Sequence, residues 1–232
     1  MKSLIVANWK CNPAALKEAK TLFNSVEKGI KNIRNAEIVI CPPFVYLSEL
    51  KRMKNKRSKI KLGGQDVFWE NTGAYTGEVS PEMLKDSGAQ YVIVGHSERR
   101  KYQKETDEAV NKKLKAALNA GLKAILCVDN VSQIKKDLNG LAGNLLSNLV
   151  IAYEPIFAIG TGKACSVERA EKMRISIKEK LNKKNIPVLY GGSVNSQNAA
   201  GYLEKGGFQG LLIGGASLKI EEFSEIIRKV DR

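Results

Sequence analysis

A chain of 232 residues that is 43% hydrophobic carries enough apolar material for one substantial core, and nothing in its length demands a second, so residues 1–232 are expected to form a single domain. No stretch approaches the roughly 18 apolar residues of a membrane span, and the first apolar run, residues 4–7, is too short for a secretory core, so no membrane partner and a cytoplasmic setting are expected. The formal charge of +14 invites a nucleic-acid reading, but the basic runs at 51–57 and 178–184 lack interleaved aromatics and read as solvated helix faces, so no nucleic-acid partner is expected.

In chain order one unit keeps returning: a short apolar run, a loop, then an amphipathic stretch. Residues 3–7 are the first run and lead to Asn8, Trp9 and Lys10. Runs at 37–41 and 60–64 follow, the second ending at Gln65. Ser80 and Pro81 mark a helix start and Gly88 its stop. The run 91–94 ends at Gly95 and His96, the chain's single histidine, with Ser97 and Glu98 opening a helix. Gly121 breaks the next helix before the run 123–127. The run 149–153 ends at Glu154 and Pro155, and residues 156–164 form a loop with an apolar tip and two glycines before the N-cap Ser166. Runs at 187–190 and 210–213, separated by the breaker Gly206, end in Gly191-Gly192-Ser193 and Gly214-Gly215-Ala216-Ser217.

Eight runs alternating with helices imply parallel strands covered on both faces, and the number eight favours a closed (β/α)8 barrel over an open sheet. Such barrels bind and react at the C-terminal ends of their strands. The polar residues just after each run are therefore the candidates: Asn8, Lys10, Gln65, His96, Glu98, Glu154 and the two late glycine pairs. An imidazole at a helix N-terminus faces unpaired N–H groups, which lower its pKa and keep it neutral. Glu154, at a strand end beside a loop able to exclude water, is placed to act as a base. Glycine pairs after strands seven and eight suit phosphate held by backbone N–H groups. The four cysteines, Cys11, Cys41, Cys127 and Cys165, lack CxxC spacing and histidines to complete a zinc site, so reduced thiols and no metal are expected.

Asn8-Trp9-Lys10, Gly95-His96-Ser97-Glu98-Arg99-Arg100, Ala152-Tyr153-Glu154-Pro155, Gly160-Thr161-Gly162, Tyr190-Gly191-Gly192-Ser193-Val194 and Gly214-Gly215-Ala216-Ser217-Leu218 together resemble the triosephosphate isomerase family, in order and across nearly the whole chain. The resemblance implies a cofactor-independent isomerase of a small phosphorylated three-carbon substrate, dihydroxyacetone phosphate or D-glyceraldehyde 3-phosphate, in glycolysis and gluconeogenesis. It carries over that family's known division of labour: Glu154 as base, His96 as neutral electrophile, Lys10 as cation beside the developing charge, and Glu98 behind Lys10. Asn8 and Lys10 would bind substrate, and backbone N–H groups of Gly160, Ser193, Gly214 and Gly215 would hold its phosphate. The resemblance also implies a homodimer, with a tetramer open as an alternative. In it Thr76 would enter the second subunit near Asn8 and Glu98, and Glu78 would pair with Arg99 of the partner subunit; an exposed Phe68-Trp69 would otherwise invite association.

The chain departs from the family at Phe157, where a lid tryptophan is usual, and at Asn130, where a glutamate is usual. Phenylalanine has no N–H to offer a carboxylate opposite it, so the paired change points to a lid that closes on apolar packing. A different phosphate-binding barrel would need a Schiff-base lysine within a strand or a set of metal ligands, and neither is evident in the sequence.

Overall fold

The computed structural model describes residues 2–55, 57–182 and 185–231; Lys56 of the first basic run and Lys183 and Lys184 of the second lie outside them. Eight strands close into a barrel in sequence order, β1 Ser3–Asn8, β2 Ala36–Cys41, β3 Ile60–Gly64, β4 Ala89–Val94, β5 Lys123–Val128, β6 Leu149–Tyr153, β7 Val188–Tyr190 and β8 Gly210–Ile213. Every neighbouring pair is parallel, including β8 with β1, where Leu4 lies opposite Gly210 and Ala7 opposite Ile213. The (β/α)8 architecture expected from the eight runs is therefore present.

The period of two along each strand explains the two cores. Leu4 and Val6 of β1, Val39 and Cys41 of β2, Tyr91 and Ile93 of β4, and Val150 and Ala152 of β6 fill the barrel's interior. The residues between them, such as Ile5, Ala7, Ile38, Ile40, Val92 and Ile151, face the helices. Gly63 gives the interior room: a Cβ there would lie 2.6 Å from Cys41 Sγ and 3.3 Å from Tyr91 Cβ.

The helices are α1 Leu16–Gly29, α2 Phe44–Met53, α3 Pro81–Asp86, α4 Ser97–Tyr102, α5 Asp107–Asn119, α6 Val131–Asp137, α7 Val167–Leu181, α8 Ala199–Glu204 and α9 Ile220–Val230. Ser80 and Ser166 cap α3 and α7 as expected, each accepting from the backbone N–H three residues on. The stop after α8 differs by one residue. Gly207, not Gly206, takes the left-handed conformation, with φ at 67°.

One buried network ties these helices to the strand end that carries His96. Arg100 of α4 donates to the Gly95 carbonyl (2.9 Å), to Asp107 of α5 (2.6 Å) and to the fully buried Asp137 of α6 (2.7 Å). Burial, opposed by Arg100 and assisted by Asp107, pushes the Asp137 carboxyl up to about 7. A raised carboxyl pKa means that the folded chain holds a proton the unfolded chain releases. Stability from this group is therefore complete below the ordinary value of 3.8 and is lost as pH rises through about 7. Between those limits Asp137→Asn should remove a slope of about 1.4 kcal/mol per pH unit. Urea unfolding of both proteins at pH 5, 6 and 7 checks this; parallel pH profiles would refute it.

Candidate active site

Continuing the inward-facing period past the last interior layer leads to the rim of the barrel. Leu4 and Val6 are followed by Asn8, and Val150 and Ala152 by Glu154, so a buried amide and a buried carboxylate cap the interior stack. On β7 and β8 the corresponding positions after Leu189 and Leu212 are Gly191 and Gly214, which project nothing. The difference leaves a cavity of about 300 Å³ beside two polar side chains. That volume is at the small end for ligand sites and suits a small metabolite better than a dinucleotide.

Asn8, Lys10, His96, Glu154, Gly160, Ser193, Gly214 and Gly215 all line this cavity. Glu98 does not. Its carboxylate pairs with the Lys10 ammonium and lies 3.8 Å from His96 Nδ1, so it acts on the cavity through those two side chains. Lys10 itself has a left-handed backbone, φ 55°, and its N–H donates to Asn8 Oδ1 at 3.0 Å. Ser193 has φ 50° on the opposite wall. Such conformations cost a non-glycine residue of order 1 kcal/mol or more and persist where surrounding contacts enforce them. For Lys10 one enforcing contact is Gln65, whose amide donates to the Lys10 carbonyl (2.8 Å) and to the Cys41 carbonyl (2.9 Å). The Lys10 stem then passes Gly214, where an added Cβ would lie 3.1 Å from its Cε.

His96 reaches the rim because Gly95, with φ at 71°, turns the chain out of β4. The Glu98 N–H donates to His96 Nδ1 at 3.2 Å, so Nδ1 keeps its lone pair and Nε2 carries the hydrogen. That hydrogen points at Glu154 Oε1, 3.0 Å away. The other carboxylate oxygen, Oε2, accepts from the Ser97 N–H at 3.1 Å. Both side chains are buried, His96 to 5% and Glu154 to 2% exposure.

The expected lowering of the His96 pKa is not what this arrangement gives. Burial alone would lower it, but the charge and hydrogen bond of Glu154, helped by Glu98, raise it on balance. Burial likewise opposes ionisation of Glu154, yet His96, the Ser97 N–H and Lys10 hold it below the ordinary carboxylate range. The carboxylate is thus ionised although it is buried.

Of residues 155–165, Ile159, Gly160 and Gly162 line the cavity. Ile156–Ala158 form a 3₁₀ turn with Ile156 and Phe157 exposed, and Gly160 and Gly162 take positive φ. Ser193 Oγ donates to the Ala158 carbonyl, and the far end is held at Cys165, whose N–H donates to Tyr190 Oη at 3.0 Å and whose carbonyl accepts from Tyr202 Oη. The Phe157 ring lies 4.6 Å from the Arg169 guanidinium, while Asn130 Oδ1 accepts from Ser132 and Gln133 N–H groups as the cap of α6.

In the loop after β3, Phe68 is buried against Trp69 and Tyr75, with ring centroids 4.2 and 4.7 Å away. Residues 70–78, including Thr76 and Glu78, are exposed. Within the chain Arg99 pairs with Asp66 (2.9 Å) and Glu105 (2.5 Å), and the buried Lys113 bridges the same two carboxylates.

Sequence reasoning missed the Ser97 N–H and gave Gln65 no task. The first is a backbone donor and leaves no mark in residue type. The second was visible only as a polar residue at a strand end. Cys11 is exposed and the other three thiols are buried, and all four are unpaired.

A family model described as triosephosphate isomerase matches residues 3–230. The triosephosphate isomerase of Dehalococcoides mccartyi strain BAV1 is 45% identical over 251 aligned residues, covering 99% of this chain and 97% of that protein. The one from Trichodesmium erythraeum is 43% identical, covering 97% and 98%, and the one from Alkaliphilus oremlandii is 42% identical, covering 97% and 98%.

Proposed function

The chain belongs to the triosephosphate isomerase family, and on that premise we propose that it interconverts dihydroxyacetone phosphate and D-glyceraldehyde 3-phosphate through an enediolate, with Glu154 as base and His96 as electrophile. The observation that carries this reading is the direct contact of an ionised, buried carboxylate with an imidazole Nε2–H on the wall of one small cavity.

Glu154 takes the proton from the carbon next to the carbonyl. The electrons of that C–H bond form the carbon–carbon double bond, and the carbonyl π pair moves to its oxygen. The His96 Nε2–H stabilises that oxygen and moves protons between the two oxygens, and Glu154 returns its proton to the neighbouring carbon. A substrate carbonyl entering between the two side chains separates Nε2 from the carboxylate. The larger cause that raises the His96 pKa is then removed, while burial, the Glu98 N–H and the weaker pull of the Glu98 carboxylate remain, and the balance moves towards the neutral imidazole this role requires. Lys10 supplies fixed positive charge near the developing oxyanion, oriented by Glu98 and Gln65. Backbone N–H groups at Gly160, Ser193, Gly214 and Gly215 take the phosphate, and residues 155–165 act as a lid that keeps water from the enediolate. These roles call on neither metal nor cofactor.

We read residues 1–232 as one domain acting as a homodimer in the cytoplasm. Leu16, Val45, Tyr75, Met83 and Tyr102, five of the eight exposed large hydrophobic side chains, lie on the loops and helices that follow β1 to β4. A patch of that kind, next to the exposed loop 70–78, supports association through these four units. Four unpaired thiols suit a reducing compartment. Sedimentation at micromolar concentration should give twice 25.5 kDa. A coupled assay of the purified chain tests the reaction itself: a folded, two-chain particle without isomerase turnover would refute the assignment.

A further inference from the structure

Part of the chain's positive charge collects at one end of the barrel. Because all strands are parallel and each helix returns to the start of the next strand, helix ends and strand starts share the end of the barrel opposite His96 and Glu154. Residues 50–61, which run from the end of α2 into β3, contain seven Lys and Arg and no Asp or Glu. Against them lies the connection from α1 to β2, and Lys59 Nζ ties the two together by donating to the carbonyls of Lys31 (2.9 Å) and Ile33 (2.6 Å). Between these connections is a cleft of about 370 Å³ lined by Lys28, Lys31, Arg57 and Lys59, with the polar residues Asn55 and Ser58. Two residues on from Lys59, Lys61 leads to a second hollow, of about 150 Å³, lined by Lys2 and Lys123.

Two acids on this surface are already engaged: Glu37 accepts from Tyr91 Oη and pairs with Lys61, and Asp231 accepts the N–H groups of Arg34 and Asn35. Glu27 also lines the cleft, with one oxygen buried, and is outnumbered there by four cations. Among the described residues, none of the eight exposed large hydrophobic side chains lies in a connection that enters a strand. The described part of this surface therefore offers no apolar centre for a protein partner, no anchor for a bilayer and no exposed ring on which an unpaired base could stack. What it offers is cations and small hydrogen-bonding side chains, the set that meets phosphate oxygens without reading bases.

We propose that this face binds a nucleic-acid duplex through its phosphates, without sequence preference, while the isomerase site at the other end stays free. Sequence alone suggests only scattered solvated helix faces; closure of the barrel brings the lysines together.

Fluorescence anisotropy of a labelled duplex of mixed sequence, titrated with the full chain from 25 to 200 mM salt, tests the proposal. Binding should weaken with a log–log slope of about −0.9 per phosphate neutralised, and the variant Lys28→Gln/Lys31→Gln/Arg57→Gln should make that slope shallower by about two to three. Its isomerase turnover should be unchanged, which verifies the fold. The variant Lys17→Gln/Lys101→Gln/Lys172→Gln removes the same charge elsewhere and should bind nearly as the parent does. Equal losses in both variants would reduce the effect to net charge and overturn the proposal, as would no binding at 25 mM salt. Tighter binding to phosphatidylserine vesicles than to the duplex would overturn it in favour of a membrane.

Discussion

Glu154→Asp is expected to lower turnover by about 10²- to 10³-fold while changing KM by no more than a few-fold. Aspartate keeps the charge and shortens the side chain by one methylene, so the comparison isolates position. In the structure both carboxylate oxygens have assigned places, one against His96 Nε2 and one on the Ser97 N–H. A shorter side chain retreats towards Ala152 and Gly191, and the strand carrying it is too well packed to follow. A displacement of about 1 Å at a reacting group can cost about 10²-fold, because geometry matters most in the transition state. In the proposed mechanism substrate affinity depends chiefly on Lys10 and on the backbone at Ser193, Gly214 and Gly215, which line the same cavity and are left in place by the change. Glu154→Gln removes the base altogether and should lose about 10³- to 10⁴-fold. Steady-state kinetics in both directions decide the matter. A loss confined to KM, or retention of turnover within tenfold by the aspartate variant, would mean that Glu154 is not the proton-transferring group.

Much of this was legible in the sequence, for a physical reason. A barrel strand buried on both sides is an uninterrupted apolar run, so the eight runs locate the eight strands, and the residue after each run falls on the rim by geometry. The period of two does the rest, turning Asn8 and Glu154 inward above the stacks that begin at Leu4 and Val150. Contacts between distant segments left no such trace. Gln65 clamps the Lys10 carbonyl across 55 positions, Arg99 finds Asp66, and the Ser97 N–H finds Glu154. The upward pull of Glu154 on the His96 pKa left no trace for the same cause: the helix end is local and visible, whereas the carboxylate arrives from the end of β6.

Gly210→Ala is expected to destabilise the fold by more than about 4 kcal/mol, the range reached only when a specific packing feature is broken. Gly210 opens β8 and pairs with Leu4 on one side and Leu189 on the other, at the seam where the last strand meets the first. A Cβ at this position would lie 1.9 Å from the Leu4 carbonyl oxygen and 2.8 Å from Leu189 Cδ2. The leucine side chain can rotate, but the carbonyl belongs to β1 and cannot move without opening the seam. The two strands must part locally or the register must slip, and a slip of one residue would exchange the inward and outward faces of β8. Gly143→Ala serves as the control, because a Cβ there meets nothing within 4 Å and its φ is not positive. It should change stability by less than about 1 kcal/mol, in the stabilising direction if at all. Urea and thermal unfolding followed by near-ultraviolet circular dichroism compare the two. If Gly210→Ala unfolds within about 1 kcal/mol of the parent, the seam is not held by the close approach of β8 to the Leu4 backbone, and closure must rest on the side-chain layers inside the barrel.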